Sequence, residues 1–346
     1  TVAENATLIS RTDFKSTPNI YFVILDMYAR QDVLEHTLGF DNSPFITKLE
    51  KRGFTVDENS FSNYPTTPLT ISTAFNMDFY SYDKDYSVDL IVGKNPVVSL
   101  LREHGYEFIF VDSGGNSQIT CGGYEDLCFG LGNIEDDIAL LLKMTPLWRL
   151  MHSSSVARYF EALYILTDLE QSMIKAVNHI VVSGKPTFVF AHILSPHEPA
   201  RFNSDCTKIF NLDPGLGTPS KEEYLTDLEC LNDQVIRSID DILTRDKTSP
   251  IILVQSDHGL RKVNVASNDS LLDLKNLMTF KLPSKCNDLH YSGMTPVNNF
   301  RLIFSCLMET EFIPAEDKLL IWDSLKRNFF LQVDEDGNVL QKHGSN

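Results

Sequence analysis

Residues 251–259 have the sequence IILVQSDHG, in which an apolar run passes directly into polar and charged residues. The run lacks the alternation of a half-exposed strand, so it predicts a strand buried on both faces of a parallel sheet. Asp257 and His258 would then follow the carboxyl end of that strand, which is where open α/β sheets place their active sites. Two solvated polar residues at a strand end are the alternative, and the rest of the chain bears on the choice.

Three further apolar runs have the same form and the same polar ending. They are residues 20–25 before Asp26, residues 108–111 before Asp112, and residues 187–191 before His192. Helices are predicted between the runs, because apolar residues recur there at three- and four-residue spacing. The predicted helices cover residues 96–103, 134–150, 156–182 and 222–243. Strands that alternate with helices predict an α/β fold, with a mostly parallel central sheet and helices on both of its faces.

Two regions do not fit this simple alternation. Residues 116–183 form a long, mostly helical insert, which we expect to be a cap or side lobe near the site. Near the C terminus, apolar runs flank Asp336-Gly337, a turn signal that predicts a hairpin and an added antiparallel edge. No repeat or long linker divides residues 18–346, so we expect one domain there, preceded by an extension at residues 1–17.

The composition argues against several kinds of partner. The chain has 30 Lys+Arg and 47 Asp+Glu, a formal net charge of −17, which repels nucleic-acid phosphates and argues against a nucleic-acid partner. No segment has the roughly 20 consecutive apolar residues that cross a bilayer. Residues 1–15 lack the apolar centre of a signal peptide, so we expect a soluble fragment or a mature form.

Six cysteines are present, and their spacing is uneven. Cys121 and Cys128 flank a loop with two glycines, and Cys206 lies in a polar loop before Cys230 on a predicted helix. Both pairs would suit disulfide bonds in an oxidising compartment, and unpaired thiols in a cytosolic protein are the alternative. Cys306 lies inside an apolar predicted helix, and we expect a buried thiol there rather than a bridge. None of the cysteines has C-x-x-C zinc spacing.

A pair of threonines precedes another predicted helix at residues 69–75. Thr67 is the expected N-cap, with Pro68 in the first turn. A capping threonine needs no function. A hydroxyl at a helix N terminus also faces unpaired N–H groups and the positive end of the helix dipole, where a phosphoryl group would bind. Threonine is a poor nucleophile until a cation stabilises its alkoxide, so a catalytic threonine requires a nearby metal.

The polar strand ends supply ligands for such a metal. The expected ligands are Asp26, Thr67 (or Thr66 in the alternative register), Asp257 and His258. These ligand types suit zinc or manganese, and less definitely magnesium or calcium. His192 and His197 follow another predicted strand and could bind a second metal, orient a phosphate or protonate a leaving group. Each histidine alone is more often a loop residue than a functional one, but the set together predicts a metal-dependent site.

The order of these elements resembles the sulfatase-like branch of the alkaline phosphatase superfamily. The resemblance runs from about residue 18 to about residue 308. It is carried by residues 18–30 around Asp26 and Arg30, residues 62–67, residues 192–197, SDHG at 256–259 and TPVNNFR at 295–301. Within this branch the chain is similar to the catalytic domains of lipoteichoic acid synthase and the phosphoethanolamine transferases. The resemblance therefore implies an alkaline-phosphatase-like fold and an enzyme.

The resemblance also implies a role for each candidate residue. The implied metal ligands are Asp26, Thr67, Asp257 and His258, and Thr67 would form a covalent phosphoryl intermediate. The implied substrate-side residues are Arg30, His192 and His197. Domains of this kind are usually extracytoplasmic, which implies a periplasmic or cell-surface location and a membrane anchor upstream of Thr1.

The threonine segment departs from the sulfatase pattern. True sulfatases carry Cys or Ser in C/S-x-P-x-R, which is oxidised to formylglycine, whereas residues 66–70 of this chain are TTPLT. Sulfate-ester hydrolysis by that route is therefore disfavoured. Alignment on Pro68 selects Thr66 as the nucleophile, while the N-cap argument and the transferase-like pattern select Thr67, which we predict.

The leading hypothesis is a metal-dependent phosphotransferase or phosphodiesterase with a threonine nucleophile and a phosphothreonine intermediate. The expected substrate is a phosphate ester, with phospholipids and envelope glycans among the candidates, and the acceptor would be an alcohol, an amino sugar or water. Two alternatives remain open. One is a sulfuric ester hydrolase of the sulfatase family that works without formylglycine, and the other is a catalytically degenerate ectodomain that serves as a binding module.

Overall fold

The computed structural model describes residues 13–79, 88–112, 119, 121–129, 169–198, 200–207, 209, 220–261, 263, 269–323 and 330–343. In these ranges the chain forms a seven-stranded sheet, a separate three-stranded sheet and the helices that pack on them. We found no helix in the described ranges with the length and apolar character needed to cross a membrane.

The strands are β1 (Ile20–Leu25), β2 (Thr55–Val56), β3 (Glu107–Val111), β4 (Leu127–Phe129), β5 (Thr187–Ile193), β6 (Ile251–Gln255), β7 (Met278–Lys281), β8 (Leu319–Trp322), β9 (Phe330–Val333) and β10 (Val339–His343). The α-helices are α1 (Gln31–His36), α2 (Ser43–Glu50), α3 (Thr67–Asn76), α4 (Val88–Ile91), α5 (Pro96–Glu103), α6 (Leu169–Ser183), α7 (Lys221–Arg245) and α8 (Asn299–Met308). Short 3₁₀ turns occupy Ser284–Leu289 and Pro296–Asn298.

The strand order of the large sheet is β2-β7-β6-β1-β5-β3-β4. The five strands from β6 to β4 are parallel, whereas β7 and β2 add an antiparallel edge. This architecture confirms the predicted α/β fold with a mostly parallel sheet. All four predicted strands are present, with bounds that differ from the sequence prediction by at most two residues.

Both faces of the central strand β1 are covered, as its unbroken apolar sequence predicted. Tyr21, Val23 and Leu25 lie in one hydrophobic cluster with residues of α6 and α7. Phe22 and Ile24 lie in a second cluster with residues of α3, α5 and α8. Successive side chains of a strand point to opposite faces, so a strand between two helical layers must be apolar at every position. The predicted helices on both faces are therefore confirmed.

The predicted helices are confirmed where the structure describes them. Residues 96–103 form α5, and residues 222–243 lie within α7, which begins with a capping box between Ser220 and Glu223. Of the prediction at residues 156–182, the part from 169 onward forms α6. The predicted helix at 134–150 and most of the insert at 116–183 lie outside the described residues.

The C-terminal hairpin is confirmed, but it is not an edge of the central sheet. β9 and β10 pair antiparallel on either side of Asp336-Gly337, and β8 pairs with β9 to complete a separate three-stranded sheet. Its apolar side chains lie against the loop that precedes α3, where Phe330 packs edge-on against Tyr64 at 5.1 Å between ring centroids. Burial of these side chains fixes the small sheet beside α3.

Disulfide bonds join Cys121 to Cys128 and Cys206 to Cys230, as predicted. The expectation of a buried thiol at Cys306 is wrong, because Cys306 is bonded to Cys286 with a Cα–Cα distance of 5.5 Å. The 3₁₀ turn at Ser284–Leu289 brings Cys286 against α8, and no local pattern in the sequence marked that contact. The chain therefore has no free cysteine.

The described residues of the predicted N-terminal extension lie against the sheet-forming part of the chain. The Phe14 ring stacks on His104 with 3.7 Å between ring centroids, and the Lys15 N–H donates to the Leu307 carbonyl at 2.7 Å. The division into an extension at 1–17 and one domain at 18–346 stays a prediction.

Candidate active site

Three adjacent parallel strands bring the predicted site residues to one edge of the sheet. β1 lies between β5 and β6, and Ile24 of β1 is paired with His192 on one side and with Gln255 on the other. Asp26 follows β1 directly, and Asp257 lies two residues beyond Gln255. The parallel register therefore places Asp26 and Asp257 at the same level, with His192 on the neighbouring strand level with Ile24, two residues earlier.

Four side chains converge at this edge. The His258 Nε2 atom lies 3.5 Å from Asp26 Oδ1 and 3.6 Å from Asp257 Oδ2, and His192 Nε2 lies 3.6 Å from Asp26 Oδ2. All four side chains are at most 4 % exposed. The structure thus brings together the predicted ligands Asp26, Asp257 and His258. It adds His192, which we had expected on the substrate side.

The facing atoms of this cluster have no hydrogen-bond partner among the described residues. Asp26 Oδ1, Asp257 Oδ2, His258 Nε2 and both ring nitrogens of His192 are buried without a hydrogen bond. A buried polar atom left unpaired costs about 1–3 kcal/mol. The contacts of 3.5–3.6 Å are close to the roughly 3.3 Å between neighbouring ligands around a tetrahedral ion with 2.0 Å bonds. The donor set therefore fits a divalent cation.

The other polar atoms of the SDHG segment hold the cluster in place. Asp257 Oδ1 accepts the Met27 N–H at 3.1 Å and the His258 N–H at 2.9 Å, which leaves Oδ2 to face the cluster. His258 Nδ1 donates to the Gly259 carbonyl at 2.9 Å, so the Nε2 lone pair points towards the carboxylates. The Ser256 hydroxyl accepts the Tyr28 N–H at 2.8 Å and ties the segment to the end of β1.

The histidines also set the ionisation of Asp26. Burial raises the pKa of this carboxyl group, but the electrostatic interactions with His192, His197 and His258 outweigh burial and hold the pKa well below its usual range. His192 Nε2 lies 3.6 Å from Asp26 Oδ2, which is too far for a hydrogen bond. The effect of His192 on the pKa of Asp26 is therefore electrostatic. Asp26 is therefore ionised, as a metal ligand must be.

The threonine pair lies at the N terminus of α3, but its register differs from the prediction by one residue. Thr66 is the N-cap, with extended backbone angles of φ −144° and ψ 138°, and Thr67 is the first residue of the helix. The prediction of Thr67 as the N-cap is therefore wrong, because the helix accepts Pro68 at its second position as readily as at its first. The Thr66 hydroxyl makes no capping hydrogen bond, and both threonines are half-buried.

The loop before Thr66 is held from two directions. The Asn63 side chain donates to Thr295 Oγ1 at 2.8 Å and accepts the Val297 N–H at 3.0 Å. From the opposite direction, Arg261 Nη1 donates to the Pro65 carbonyl at 3.0 Å. Sequence reasoning missed Arg261, although its position two residues after SDHG was a signal.

Arg30 and His197 lie in different settings from the cluster. Arg30 is 8 % exposed, and its guanidinium donates to Asp32 at 2.7 and 2.9 Å and to the Ser60 carbonyl at 2.9 Å. His197 is half-buried, with Nδ1 at 2.9 Å from the Glu198 carbonyl oxygen. Both residues were predicted on the substrate side. The Arg30 guanidinium is already bound to Asp32 and Ser60, whereas His197 Nε2 has no hydrogen bond to a described residue.

The loop that carries His197 is braced by Arg201, which sequence reasoning also missed. The Nη1 atom of this buried arginine donates to the Leu194 carbonyl at 2.8 Å and to the His197 carbonyl at 2.6 Å. Asp227 of α7 lies beneath this loop and accepts the Phe202 N–H at 3.2 Å. Burial raises the pKa of Asp227 to about 6, although the charge of Arg201 lowers it.

Comparisons with solved structures give the same architecture. The chain is similar to the C-terminal periplasmic domain of EptC from Escherichia coli, with a TM-score of 0.60, 11 % identity, and coverage of 94 % of this chain and 95 % of that one. A zinc complex of that domain gives a TM-score of 0.59, 13 % identity, and coverage of 93 % and 95 %. The lipoteichoic acid synthase LtaP from Listeria monocytogenes gives 0.60, 11 % identity, and coverage of 97 % and 89 %. Identities this low show a shared fold.

Sequence comparison gives the family. No curated protein matches the chain. The Sulfatase family model matches residues 18–276. This range includes β1, the threonine pair, residues 192–197 with both site histidines, and the SDHG segment. The match covers most of the chain, and the alkaline-phosphatase-like neighbours share the fold. The chain therefore belongs to the sulfatase family, within the alkaline phosphatase superfamily.

Proposed function

We propose that this protein is a divalent-metal-dependent phosphotransferase or phosphodiesterase with a threonine nucleophile. The observation that carries the proposal is the set of buried ligand atoms on Asp26, Asp257 and His258 that face one another without a partner. The similarity to the E. coli EptC domain, which was solved in complex with zinc, supports a divalent metal in a protein of this fold.

The proposed ligands are Asp26, Asp257, His258 and one threonine hydroxyl, with His192 beside them. Two carboxylates, an imidazole and a hydroxyl suit zinc or manganese best, and magnesium or calcium are alternatives. When bound, the cation would lower the pKa of the threonine hydroxyl and balance negative charge on the phosphoryl group. Because His192 Nε2 lies 3.6 Å from Asp26 Oδ2, we propose a role for His192 at the metal rather than in substrate contact.

We propose Thr66 as the nucleophile, in place of the Thr67 that the sequence favoured. We predicted from the sequence that the catalytic hydroxyl belongs to the N-cap residue of α3, and in the structure that residue is Thr66. Its hydroxyl is not used for capping, so it remains available for chemistry. Alignment of Pro68 with the proline of the sulfatase pattern also selects Thr66. Thr67, at the first helical position, is the alternative.

In the proposed reaction, the deprotonated Thr66 oxygen attacks the phosphorus of the ester while the bond from phosphorus to the leaving oxygen breaks. The leaving oxygen takes a proton from His197, and a phosphothreonine ester remains. An acceptor alcohol, amine or water then gives its proton to His197 and attacks the phosphorus. The bond to the Thr66 oxygen breaks, and the starting state returns. Glu198 holds the His197 Nδ1 atom, which leaves Nε2 for proton exchange.

The substrate class is a phosphate ester. Phospholipids and envelope glycans are the candidates, because one structural neighbour is a lipoteichoic acid synthase. We propose an extracytoplasmic location, since three disulfide bonds suit an oxidising compartment and the EptC neighbour is a periplasmic domain. Membrane anchoring of the protein stays a prediction from the resemblance, as does a substrate role for Arg30.

The test combines metal content with turnover. Elemental analysis of the purified protein should find a divalent metal near one equivalent, and the Asp257→Asn variant should lose most of it. The metal-loaded protein should hydrolyse bis(p-nitrophenyl) phosphate faster than p-nitrophenyl sulfate. Higher turnover of the sulfate ester would favour a sulfatase, and absence of both metal and turnover would favour a binding module.

The nucleophile is tested by paired threonine variants. Thr66→Ala should abolish turnover with little change in stability, because no capping hydrogen bond is lost. Thr66→Ser keeps a hydroxyl and should retain part of the activity, while Thr67→Ala should remain active. Mass spectrometry of the quenched reaction should find the phosphate on Thr66. Loss of turnover in Thr67→Ala alone, with phosphate on Thr67, would restore the register that the sequence favoured.

A further inference from the structure

Arg261 is a half-buried arginine beside the threonine pair that is not paired with an acidic group. Its Nη1 atom donates to the carbonyl of Pro65, the residue immediately before Thr66. Five other arginines in the described ranges form ion pairs with carboxylates: Arg30, Arg52, Arg102, Arg237 and Arg245. For Arg261, no described carboxylate comes within 4.0 Å of the guanidinium. The chain has a net charge of −17, so acidic side chains are abundant, yet Arg261 is not paired with one. An arginine in this position beside the threonine pair can bind an anionic ligand.

The geometry of the guanidinium shows which donors remain. The hydrogen bond to Pro65 uses Nη1, whereas Nε is buried without a partner. The structure shows no described partner for Nη2. Nε–H and Nη2–H point in parallel from one edge of the guanidinium, and this edge binds two oxygens of a phosphate or carboxylate at once. The edge that Arg261 leaves unpaired is therefore the one suited to an oxyanion.

Neighbouring residues favour an anion from the substrate over one from the protein. Arg261 follows His258 by three residues, and its guanidinium donates to the carbonyl of the residue before Thr66. Asp273 is an acidic residue whose pKa is affected by Arg261. Burial raises the pKa of Asp273, and the positive charge of Arg261 lowers it by a smaller amount. Asp273 forms no ion pair with Arg261.

We propose that Arg261 binds two non-bridging oxygens of the phosphoryl group that is transferred to Thr66, and so selects dianionic and monoanionic phosphate esters. This proposal rests on the proposed function and adds a substrate-binding residue to it. Arg261 takes the role that sequence reasoning gave to Arg30, whose Nε–H and Nη2–H edge is already occupied by Asp32. The oxyanion would pair the buried Nε–H and add charge-assisted hydrogen bonds where negative charge builds up during transfer.

The experiment measures phosphate binding and turnover in three variants of the zinc-loaded full chain. Arg261→Gln retains a donor for the Pro65 carbonyl but lacks the charge and the forked edge. Arg261→Lys retains the charge alone. Arg237→Gln is the matched control, because it removes an equal charge from the surface of α7, where Arg237 pairs with Glu170. Binding of inorganic phosphate is measured by titration calorimetry, and kcat/KM with bis(p-nitrophenyl) phosphate.

The expected result separates anion binding from loop support. Arg261→Gln should weaken phosphate binding at least 10-fold and lower kcat/KM by about 100-fold, a typical cost of removing one donor to a transition-state oxyanion. Arg261→Lys should fall between it and the wild type, and Arg237→Gln should match the wild type. Metal content and melting temperature should be unchanged in all three variants. A role limited to supporting the Pro65 loop would lower turnover but leave phosphate affinity intact.

Two outcomes would overturn the proposal. One is phosphate affinity in Arg261→Gln within twofold of the wild type, and the other is a zinc-loaded wild type that binds no phosphate. Arg261-dependent phosphate binding in a protein without phosphoester turnover would instead support the anion site and refute the proposed function. The binding and turnover measurements therefore distinguish failure of the inference from failure of the proposed function.

Discussion

Replacement of Gly259 by alanine should damage the fold and the metal site together. Gly259 ends the SDHG segment, and a Cβ atom there would lie 2.5 Å from the Lys275 carbonyl oxygen and about as close to the Leu272 carbonyl oxygen. These are backbone atoms that cannot rotate away. The Gly259 N–H also donates to the Asp273 carbonyl at 2.8 Å, so the segment cannot withdraw without losing that bond. The backbone around residue 259 must therefore move.

The expected cost follows from these contacts. Overpacking of a buried site costs about 1–3 kcal/mol, and contacts with two immobile carbonyl oxygens favour the upper end, about 3 kcal/mol of unfolding free energy. For a chain of this size that loss lowers the melting temperature by roughly 5 °C. His258 Nδ1 donates to the Gly259 carbonyl, so a shift of the backbone also turns the imidazole. Metal affinity should fall by about 10-fold or more, in the range found when a group that orients a ligand is lost.

Urea unfolding in the presence of EDTA measures the fold alone, and competition with a zinc chelator measures the site. Gly105→Ala is the control, because a Cβ there meets nothing within 4 Å, although φ is +83°. This control shows the cost of left-handed backbone strain without a clash, roughly 1–2 kcal/mol. A Gly259→Ala variant that unfolds at the wild-type urea concentration and binds zinc normally would refute the packing argument.

Two further predictions concern parts of the fold away from the proposed nucleophile. Replacement of both Cys286 and Cys306 by serine should lower the unfolding free energy by about 3 kcal/mol, because their bond closes a loop of 20 residues; a free thiol at Cys306 in the native protein would contradict the assignment. Burial raises the pKa of Asp227 from 3.8 to about 6, so the folded state binds a proton at Asp227 more tightly than the unfolded state does. The resulting contribution to the unfolding free energy is full below about pH 4 and is lost as the pH rises through 6. The total change is about 3 kcal/mol. Between pH 4.5 and 7.5, urea unfolding should show about 2 kcal/mol of this change in the wild type and none in Asp227→Asn. Equal pH dependence in the two proteins would refute it.

Sequence alone was sufficient for the strands that carry the site. Each is an apolar run without alternation that ends in a polar residue, and burial on both faces requires that pattern. The order of the strands could not be predicted in the same way. β1 pairs with β5, which lies more than 160 residues later in the chain, and local patterns do not specify such pairings. The antiparallel edge strands β7 and β2 were missed because they are short, at four and two residues.

The sequence predicted the candidate metal ligands but not the residues that hold the surrounding loops in place. Asp26, Asp257 and His258 follow recognisable strands, so sequence position predicted their convergence. Arg261 and Arg201 bind backbone carbonyls of distant loops, and a hydrogen bond to a carbonyl leaves no mark in the sequence of the acceptor. Asp112 shows that a polar residue after a strand need not join the site, and it was not among the predicted ligands. It follows β3, one strand beyond β5, and its Oδ2 accepts the Cys121 N–H at 3.2 Å, outside the cluster.

The position of the threonine pair depends on residues beyond the part of the chain that the Sulfatase family model matches. That match ends at residue 276, yet Asn63 bonds to Thr295 and Val297, and its carbonyl accepts the Leu320 N–H at 3.0 Å. The adjacent Tyr64 ring packs on the three-stranded sheet. From inside the matched part, Arg261 donates to the Pro65 carbonyl, and the Ser62 N–H donates to the Leu274 carbonyl at 2.8 Å. The metal ligands and the proposed nucleophile therefore have different supports. The sheet edge fixes the ligands, and the C-terminal residues fix the threonine loop against them, so this region is part of the proposed catalytic unit.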